Sequence, residues 1–296
     1  MSDLVKGSYF PEELVTEMFN KVRGHSSLAK LCPQSPVSFN GIKEFTFSMD
    51  KEIDIVAEKG AKSNGGAAAV PVTIVPIKVE YGTRVSDEFK YAAEEEQLNY
   101  LQSFSEGFAR KVAKGLDIMA FHGLNPRTTT ASTVIGTNCF DSAVTNTVNY
   151  VAASADSNIE AAIALVEGNE YDVNGLAMST TMRSALAALT ANGVKLFPEL
   201  AWGQNPGTIN GLASDVNSTV SKAATNADVD HAIVGDYTAF KWGFAKQIPL
   251  EIIEYGNPDN DEDAGDLKGH NQIYLRAEAY IGWAILDPAA FARVKA

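Results

Sequence analysis

The 296-residue sequence predicts an α+β fold containing two elements too long for an ordinary compact domain. Three observations predict it. Two β-rich arms flank a glycine-alanine stretch, one apolar stripe runs at helical spacing through the middle, and a run near the end alternates like a strand.

The first helix is expected to start at Pro11, with Glu12 and Glu13 at the positive end of its dipole, Leu14, Met18 and Val22 on one face, and Gly24 at its end. A proline-marked connection, CPQSPVSFNG, leads to the first arm, where Phe45, Phe47 and Met49 interleave with Glu44, Thr46 and Ser48, and Ile53 and Ile55 flank Asp54. In the second arm Val70, Val72 and Ile74 alternate up to Pro76, followed by Ile77, Val79 and Tyr81. The intervening EKGAKSNGGAAAV, Glu58 to Val70, reads as a hairpin tip. Arms of about fifteen residues at ~3.3 Å each would project roughly 40 to 50 Å. A two-stranded ribbon is marginal in water, and Pro71 and Pro76 remove ladder donors. The arms therefore need a surface to lie on, either their own domain or another copy of the chain.

The stretch after the arms carries the strongest helical signal. Leu98, Leu101, Phe104, Phe108, Val112, Leu116 and Met119 recur every three or four residues, and Glu94, Glu95 and Glu96 suit the N-terminus. Gly107 and Gly115 lower its propensity, which suggests a close neighbour or a bend. From Asn125 to about Ser154 the Thr- and Asn-rich sequence reads as loops with short strands. An α/β unit follows. Ser157 and Glu160 form a capping box for a helix burying Ile159, Ile163 and Val166 and closing near Gly168. NGLAMS is a strand, and a helix with Met182, Leu186 and Leu189 inward ends at Gly193. HAIVGDY is a strand, a helical turn runs through Phe240, and IPLEIIEYG is another strand. Last, Ile273, Leu275, Ala277, Ala279, Ile281, Trp283 and Ile285 share one face of a long strand.

Composition narrows the function. Against 37 acidic residues stand 24 basic ones, a formal charge of -13, which argues against a surface built to grip nucleic acid or anionic lipid. Cys32 and Cys139 sit in no metal-spaced or redox motif and read as reduced cysteines. Neither a secretory signal nor an uninterrupted membrane-spanning run is present.

Chemistry-bearing motifs are missing too. GAKS at Gly60 lacks phosphate-loop spacing, and no nucleophile elbow, metalloprotease or dinucleotide motif occurs. His25, His122, His231 and His270 are scattered singly. Asp259, Asp261 and Asp263 alternate like calcium ligands, but Ala264 and His270 stand where such a loop needs glycine and glutamate. No catalytic residue, metal or cofactor is expected.

In that order, the reaching hairpin, long helix, α/β unit and long strand resemble the major capsid proteins of tailed bacteriophages, the Hong Kong 97-type fold. VSDEF before the helix, GLDIMAFHG closing it, GLAMSTTMRSALAALTANGVKLFPE, AIVGDYTAFKWGFAKQIPLEI and LRAEAYIGWAILDPAAFARV carry the resemblance over nearly the whole chain. It implies an N-terminal arm and the start of a peripheral domain at 1–43, an extended loop at 44–84, a peripheral domain with a spine helix at 85–134, an axial domain at 135–256, and a return to the peripheral domain at 257–296. It also implies pentamers and hexamers closing an icosahedral shell around double-stranded DNA, bound without sequence specificity. Portal, scaffolding or decoration proteins would be partners, with assembly in the host bacterial cytoplasm and the protein residing in the virion. The hairpin would then lie on a neighbouring subunit, and an acidic inner wall would let the genome slide in. Glu58, Lys59, Lys62 and Arg84 in the hairpin, with Arg110 and Lys111 on the spine, are the expected intersubunit contacts, chosen on charge and position. Some family members crosslink through a lysine-asparagine isopeptide bond; Lys59 and Lys62 lie near the tip, but no asparagine or glutamate partner matches. Met1 lies only ten residues before Pro11, so scaffolding would be a separate protein or absent. The alternative with the same fold is an encapsulin, a bacterial nanocompartment shell; the remaining one is an acidic α/β enzyme.

Overall fold

A computed structural model describes residues 26–92, 94–222 and 229–296. The helix expected from Pro11 lies outside the described residues. The first described element is a short helix, α1 (Ser27–Leu31), capped by Ser26, whose side chain accepts from the Ala29 amide. Leu28 and Ala29 of α1 enter the main core.

Strands β1 (Ile42–Met49) and β2 (Ala67–Ile74) pair antiparallel from Ile42↔Ile74 to Met49↔Ala67. The ribbon is thus eight residues long, about half the expected arm. Asp50 closes it: its amide reaches the Gly66 carbonyl at 3.2 Å and its carboxylate accepts from the Gly66 amide at 2.6 Å. The loop therefore spans Asp50 to Gly66, and Ala67, Ala68 and Ala69, placed in the tip, are ladder residues of β2. At Val75 and Pro76 the second arm leaves the ribbon, and β3 (Ile77–Ser86) pairs elsewhere. Pro76 has no amide to donate, so the ladder breaks where the chain changes partner.

The spine helix, α2 (Glu94–His122), has the expected extent. Leu101, Phe108, Val112, Leu116 and Met119 are buried, Phe104 is half-buried and Leu98 is exposed. Gly123 ends the helix at φ +65°, with its amide on the Met119 carbonyl. Neither internal glycine is imposed by a neighbour. A Cβ on Gly107 would meet nothing, and one on Gly115 would sit in ordinary contact with Pro126 at 3.5 Å.

After α3 (Phe140–Ala143) and β4 (Thr147–Asn149) comes α4 (Ala155–Glu167), preceded by a 3-10 turn at Ala152–Ser154. That turn starts the helix two residues before Ser157, so the expected capping box lies inside it; the N-cap is Ser154, without a side-chain cap bond. Strand β5 (Gly175–Met178) and helix α5 (Thr180–Ala188) follow, the latter capped by Ser179. Gly193 does not cap α5. Asn192 (φ +51°) and Gly193 (φ +81°) turn the two-residue strands β6 (Thr190–Ala191) and β7 (Val194–Lys195) into a hairpin. Asn210 (φ +50°) and Gly211 (φ +89°) do the same between β8 (Thr208–Ile209) and β9 (Leu212–Val216). Asn-Gly supplies the two left-handed residues such turns require.

Strand β10 (Asp230–Gly235) leads, through the 3-10 turn at Tyr237–Ala239, into β11 (Phe240–Ile253). The expected strand at IPLEII is the end of this longer element, which bulges between Phe244 and Lys246 and between Ile248 and Glu251. β12 (Gln272–Ile285) is the long final strand, and its seven expected apolar positions are all buried. The chain ends in β13 (Phe291–Lys295).

Two main sheets organise these strands. One has the order β11-β12-β3, the other β4-β13-β10-β5-β9-β8. β12 is therefore internal, hydrogen-bonded by β11 on one edge and by β3 on the other. It completes itself within the subunit, although its length reads as too great for an ordinary compact domain. Sheet membership also crosses the expected segments: β11, within 135–256, belongs to the three-stranded sheet, and β13, within 257–296, to the six-stranded one.

The main core lies between the spine helix, α1 and the inner faces of both sheets. Trp242 and Trp283, register partners, are fully buried there. Their indoles donate to the carbonyls of Cys32 (3.0 Å) and Asn138 (2.9 Å), so neither buries an unmet donor. The next register pair is Gly243↔Gly282, which leaves a notch across the sheet. A Cβ on Gly243 would lie 1.8 Å from the Ser35 carbonyl oxygen, and one on Gly282 2.9 Å from Ile74 Cγ2. The connection after α1 and the root of the ribbon sit in that notch, where Val37, Ile74 and Ala284 form a small core of their own.

Candidate functional site

Above this root little of the described chain covers the ribbon. Phe45, Phe47 and Met49 share one face of β1 and stand opposite Pro71, Ala69 and Ala67 of β2. Their exposures are 67, 65 and 73 %. In the loop, Ile53 and Ile55 are almost wholly exposed. Isolated exposed apolar side chains are ordinary, but a contiguous face of large ones marks an interaction surface. The ribbon is tethered to the body near its root by the ion pair of Glu44 with Lys241 at 2.8 Å.

The six expected contact residues fall into three groups. Glu58, Lys59 and Lys62 are exposed on the loop, with Lys59 at φ +65°. Arg84, at the other end of β3, makes six hydrogen bonds within its own subunit. It reaches both oxygens of Asp259 (2.8 and 2.6 Å), Asn257 Oδ1, Gln272 Oε1 and the carbonyls of Ala264 and Gly265. The guanidinium thus pairs with Asp259, the first of the three alternating aspartates, and its hydrogen bonds, reinforced by its charge, hold that carboxyl below its usual pKa. Arg110 and Lys111 are exposed on the spine, Arg110 with Glu106 3.7 Å away on the preceding turn.

Beneath the spine, buried polar groups lock the elements together. Asp117 accepts five hydrogen bonds: from the Ser26 hydroxyl, the amides of Ser27 and Leu28, Asn217 Nδ2 and the Thr219 hydroxyl. Its burial pushes the carboxyl up to about 6 even against those donors. Asp215 receives the Ser27 hydroxyl (2.6 Å), Lys30 Nζ (2.7 Å) and Asn205 Nδ2 (2.9 Å). Together the two aspartates fasten α1 to the spine and to β9.

At the end of the spine, His122 is buried between Asp141 Oδ2 and the Thr219 carbonyl, each 2.9 Å from a ring nitrogen. Both partners are acceptors, so both nitrogens donate and the ring carries a proton. Burial would lower the His122 pKa, but Asp141 outweighs it and holds it above the ordinary value. Arg293 bridges Asp141 (2.7 Å) and Asp230 (3.0 Å). A ring nitrogen of His122 and carboxylate oxygens of Asp141 and Asp230 lie within 4.8 Å of one another, a spacing that a cation could also occupy. The Arg293 guanidinium already balances the two carboxylates, and the arrangement is an ion-pair network. His231 stacks on Tyr150 at 3.8 Å, and His270 bonds the Asp266 carbonyl. His25 lies outside the described residues.

Choosing contacts by charge missed the apolar face of β1, although the alternation of Phe45, Phe47 and Met49 with polar residues is visible in the sequence. It also missed Asp117, whose partners lie 89 to 102 residues away in the chain, and the Arg293 network, in which Arg293 reaches Asp230 and Asp141 across 63 and 152 residues; sequence carries no signal for either.

Comparisons with known proteins agree on one family. The model of the Phage capsid family matches residues 7–296. Among solved structures, one from Mycobacterium phage Ogopogo is similar with TM-score 0.79 and 33 % identity, over 92 % of each chain. One from Gordonia phage Cozz has TM-score 0.72 and 24 % identity, over 91 % of this chain and 86 % of that one. A third, described as the capsid of an empty GTA particle computed with C5 symmetry, has TM-score 0.60 and 16 % identity, over 92 % of this chain and 90 % of that one. Among curated proteins none matches.

Proposed function

This chain belongs to the phage capsid family, and from that premise we propose that its shell is closed by the β1–β2 ribbon lying on a neighbouring copy. The protein is a major capsid protein, self-assembling into the shell of the virion; the encapsulin alternative is not favoured. The observation that carries the ribbon's role is the uncovered face of Phe45, Phe47 and Met49. Contacts of this kind are modest singly and become strong when symmetry repeats them around a closed assembly.

In this reading the subunits form pentamers and hexamers around double-stranded DNA, within host bacterial cytoplasm. Portal, scaffolding or decoration proteins complete the particle. The segments 1–43, 44–84, 85–134, 135–256 and 257–296 act as arm, extended loop, peripheral domain, axial domain and return. Glu58, Lys59 and Lys62 contact the neighbour from the loop. Arg110 and Lys111 offer charge from the spine. Arg84 contributes indirectly, by holding the 257–265 loop in place. The protein acts structurally and performs no catalysis.

The test is electron microscopy and sedimentation of the purified full chain beside a variant lacking residues 52–64. Shells from the wild type, with folded but unassembled subunits from the variant, support the reading. Normal shells from the variant would remove the ribbon loop from assembly, and a wild type that stays monomeric at every concentration would remove the self-assembly itself.

A further inference from the structure

We propose that the groove between the spine helix and the Asn217–Thr219 turn seats a phosphodiester group of the nucleic acid inside the shell, a partner assignment that rests on the function proposed above. The groove is lined by Arg110, Lys114, Asn217, Ser218 and Thr219 and has a volume of about 190 Å³. Arg110 and Lys114 are one helical turn apart, so both cations rise from the same face. Ser218 adds an exposed hydroxyl on the facing wall.

Charge makes this spot different from the rest of the molecule. The protein carries a formal charge of -13, yet between Gly107 and Leu116 the spine has Arg110, Lys111 and Lys114 and no carboxylate. Glu106 is the nearest acid along the helix surface, 3.7 Å from Arg110. Asp117 lies behind the wall, buried and surrounded by its five donors. An anion approaching the groove meets cations first.

The facing wall is also rigid. Thr219 donates its hydroxyl to Asp117 at 2.8 Å and accepts from His122 at its carbonyl at 2.9 Å, and Asn217 caps the turn by accepting from the Thr219 amide. Only the two long cationic side chains must be ordered when a phosphate arrives, which lowers the cost of binding. Arginine's planar fork and the lysine ammonium suit phosphate oxygens. One such seat per subunit, on an otherwise repelling protein, holds the outermost nucleic acid weakly and without sequence preference.

The experiment measures anisotropy of a labelled random-sequence DNA duplex against full-length subunits across a salt series. Arg110→Gln/Lys114→Gln is compared with wild type and with Lys268→Gln, an exposed cation that does not line the groove. The double variant is expected to bind several-fold more weakly, with a log-log salt slope shallower by about 1 to 2, while Lys268→Gln changes little. Equal affinity and slope in the double variant overturn the proposal. Should the double variant misfold by circular dichroism, Ser218→Asp takes its place, since it puts a carboxylate on the exposed wall; unchanged binding there overturns it equally. Negative-stain images of the same preparations keep the readouts apart: intact shells with unaltered DNA binding refute the groove alone, whereas absent wild-type shells refute the function on which it rests.

Discussion

Replacing Phe45 and Phe47 together by serine should separate folding from assembly. A buried phenylalanine removes about 200 Å² from water, and at 67 and 65 % exposure roughly 130 Å² of each ring is still open on the isolated subunit. At ~25 cal/mol per Å², full coverage by a neighbour would contribute about 3 kcal/mol per ring, or ~6 kcal/mol for the pair. If the neighbour covers half of that area, the loss per ribbon contact is still ~3 kcal/mol, about a hundredfold in the contact's equilibrium constant. Within the subunit the remaining roughly 70 Å² of each ring lies against its own chain, so by the same measure its own stability should fall by at most ~3.5 kcal/mol for the pair. Thermal melts of the dissociated subunit and sedimentation of assembly reactions at several concentrations read the two effects. A subunit that still melts cooperatively, with the threshold for particles raised at least tenfold, is the expected pair of results. Particles at the wild-type threshold would refute the reasoning, and loss of the cooperative melt would show that the rings serve their own fold.

Three further outcomes follow from the interior. Gly243→Ala drives a methyl toward the Ser35 carbonyl oxygen, a backbone atom 1.8 Å away, and should cost about 3 kcal/mol or more in denaturant unfolding, whereas Gly107→Ala, with open space around it, should stabilise slightly. For Asp117 the folded pKa is raised, so its stabilising contribution is complete below about 3.8 and is lost as pH rises through about 6. Unfolding free energy should therefore grow on acidification through that window, by about 3 kcal/mol at most, and Asp117→Asn should flatten the profile; an identical slope in the variant would assign the dependence to other groups. Arg84→Met removes five hydrogen bonds from the 257–265 loop and should speed proteolytic nicking there while leaving circular dichroism unchanged.

Much of the fold was legible because its long elements announce their period. The spine stripe from Leu101 to Met119 and the seven alternating positions of β12 both stand as expected. What sequence could not convey was partner choice. A strand's alternation records which face is buried and says nothing about which edge is paired, so β12 and the ribbon both read as too long for a compact domain. In the fold β12 has β3 and β11 on its two edges, whereas among the described residues the apolar face of the ribbon stays exposed. Local turn chemistry was misassigned for a similar reason. Ser157 and Glu160 have capping-box spacing, but a 3-10 turn upstream had already begun the helix, and Gly193 follows an asparagine that makes it half of a hairpin turn. In the candidate site, exposed charges were found by position, while the apolar face required knowing that Pro76 diverts β3 and leaves β1 and β2 to stand alone.

That diversion has a mechanical side. β3 continues the strand that carries the ribbon, and ten consecutive register pairs bind it to β12. A neighbour holding the ribbon would load β3 at Ile77, where the strand enters those ten pairs. Tension arriving from outside would thus be handed to β12, a strand buried along most of its length in the subunit's core.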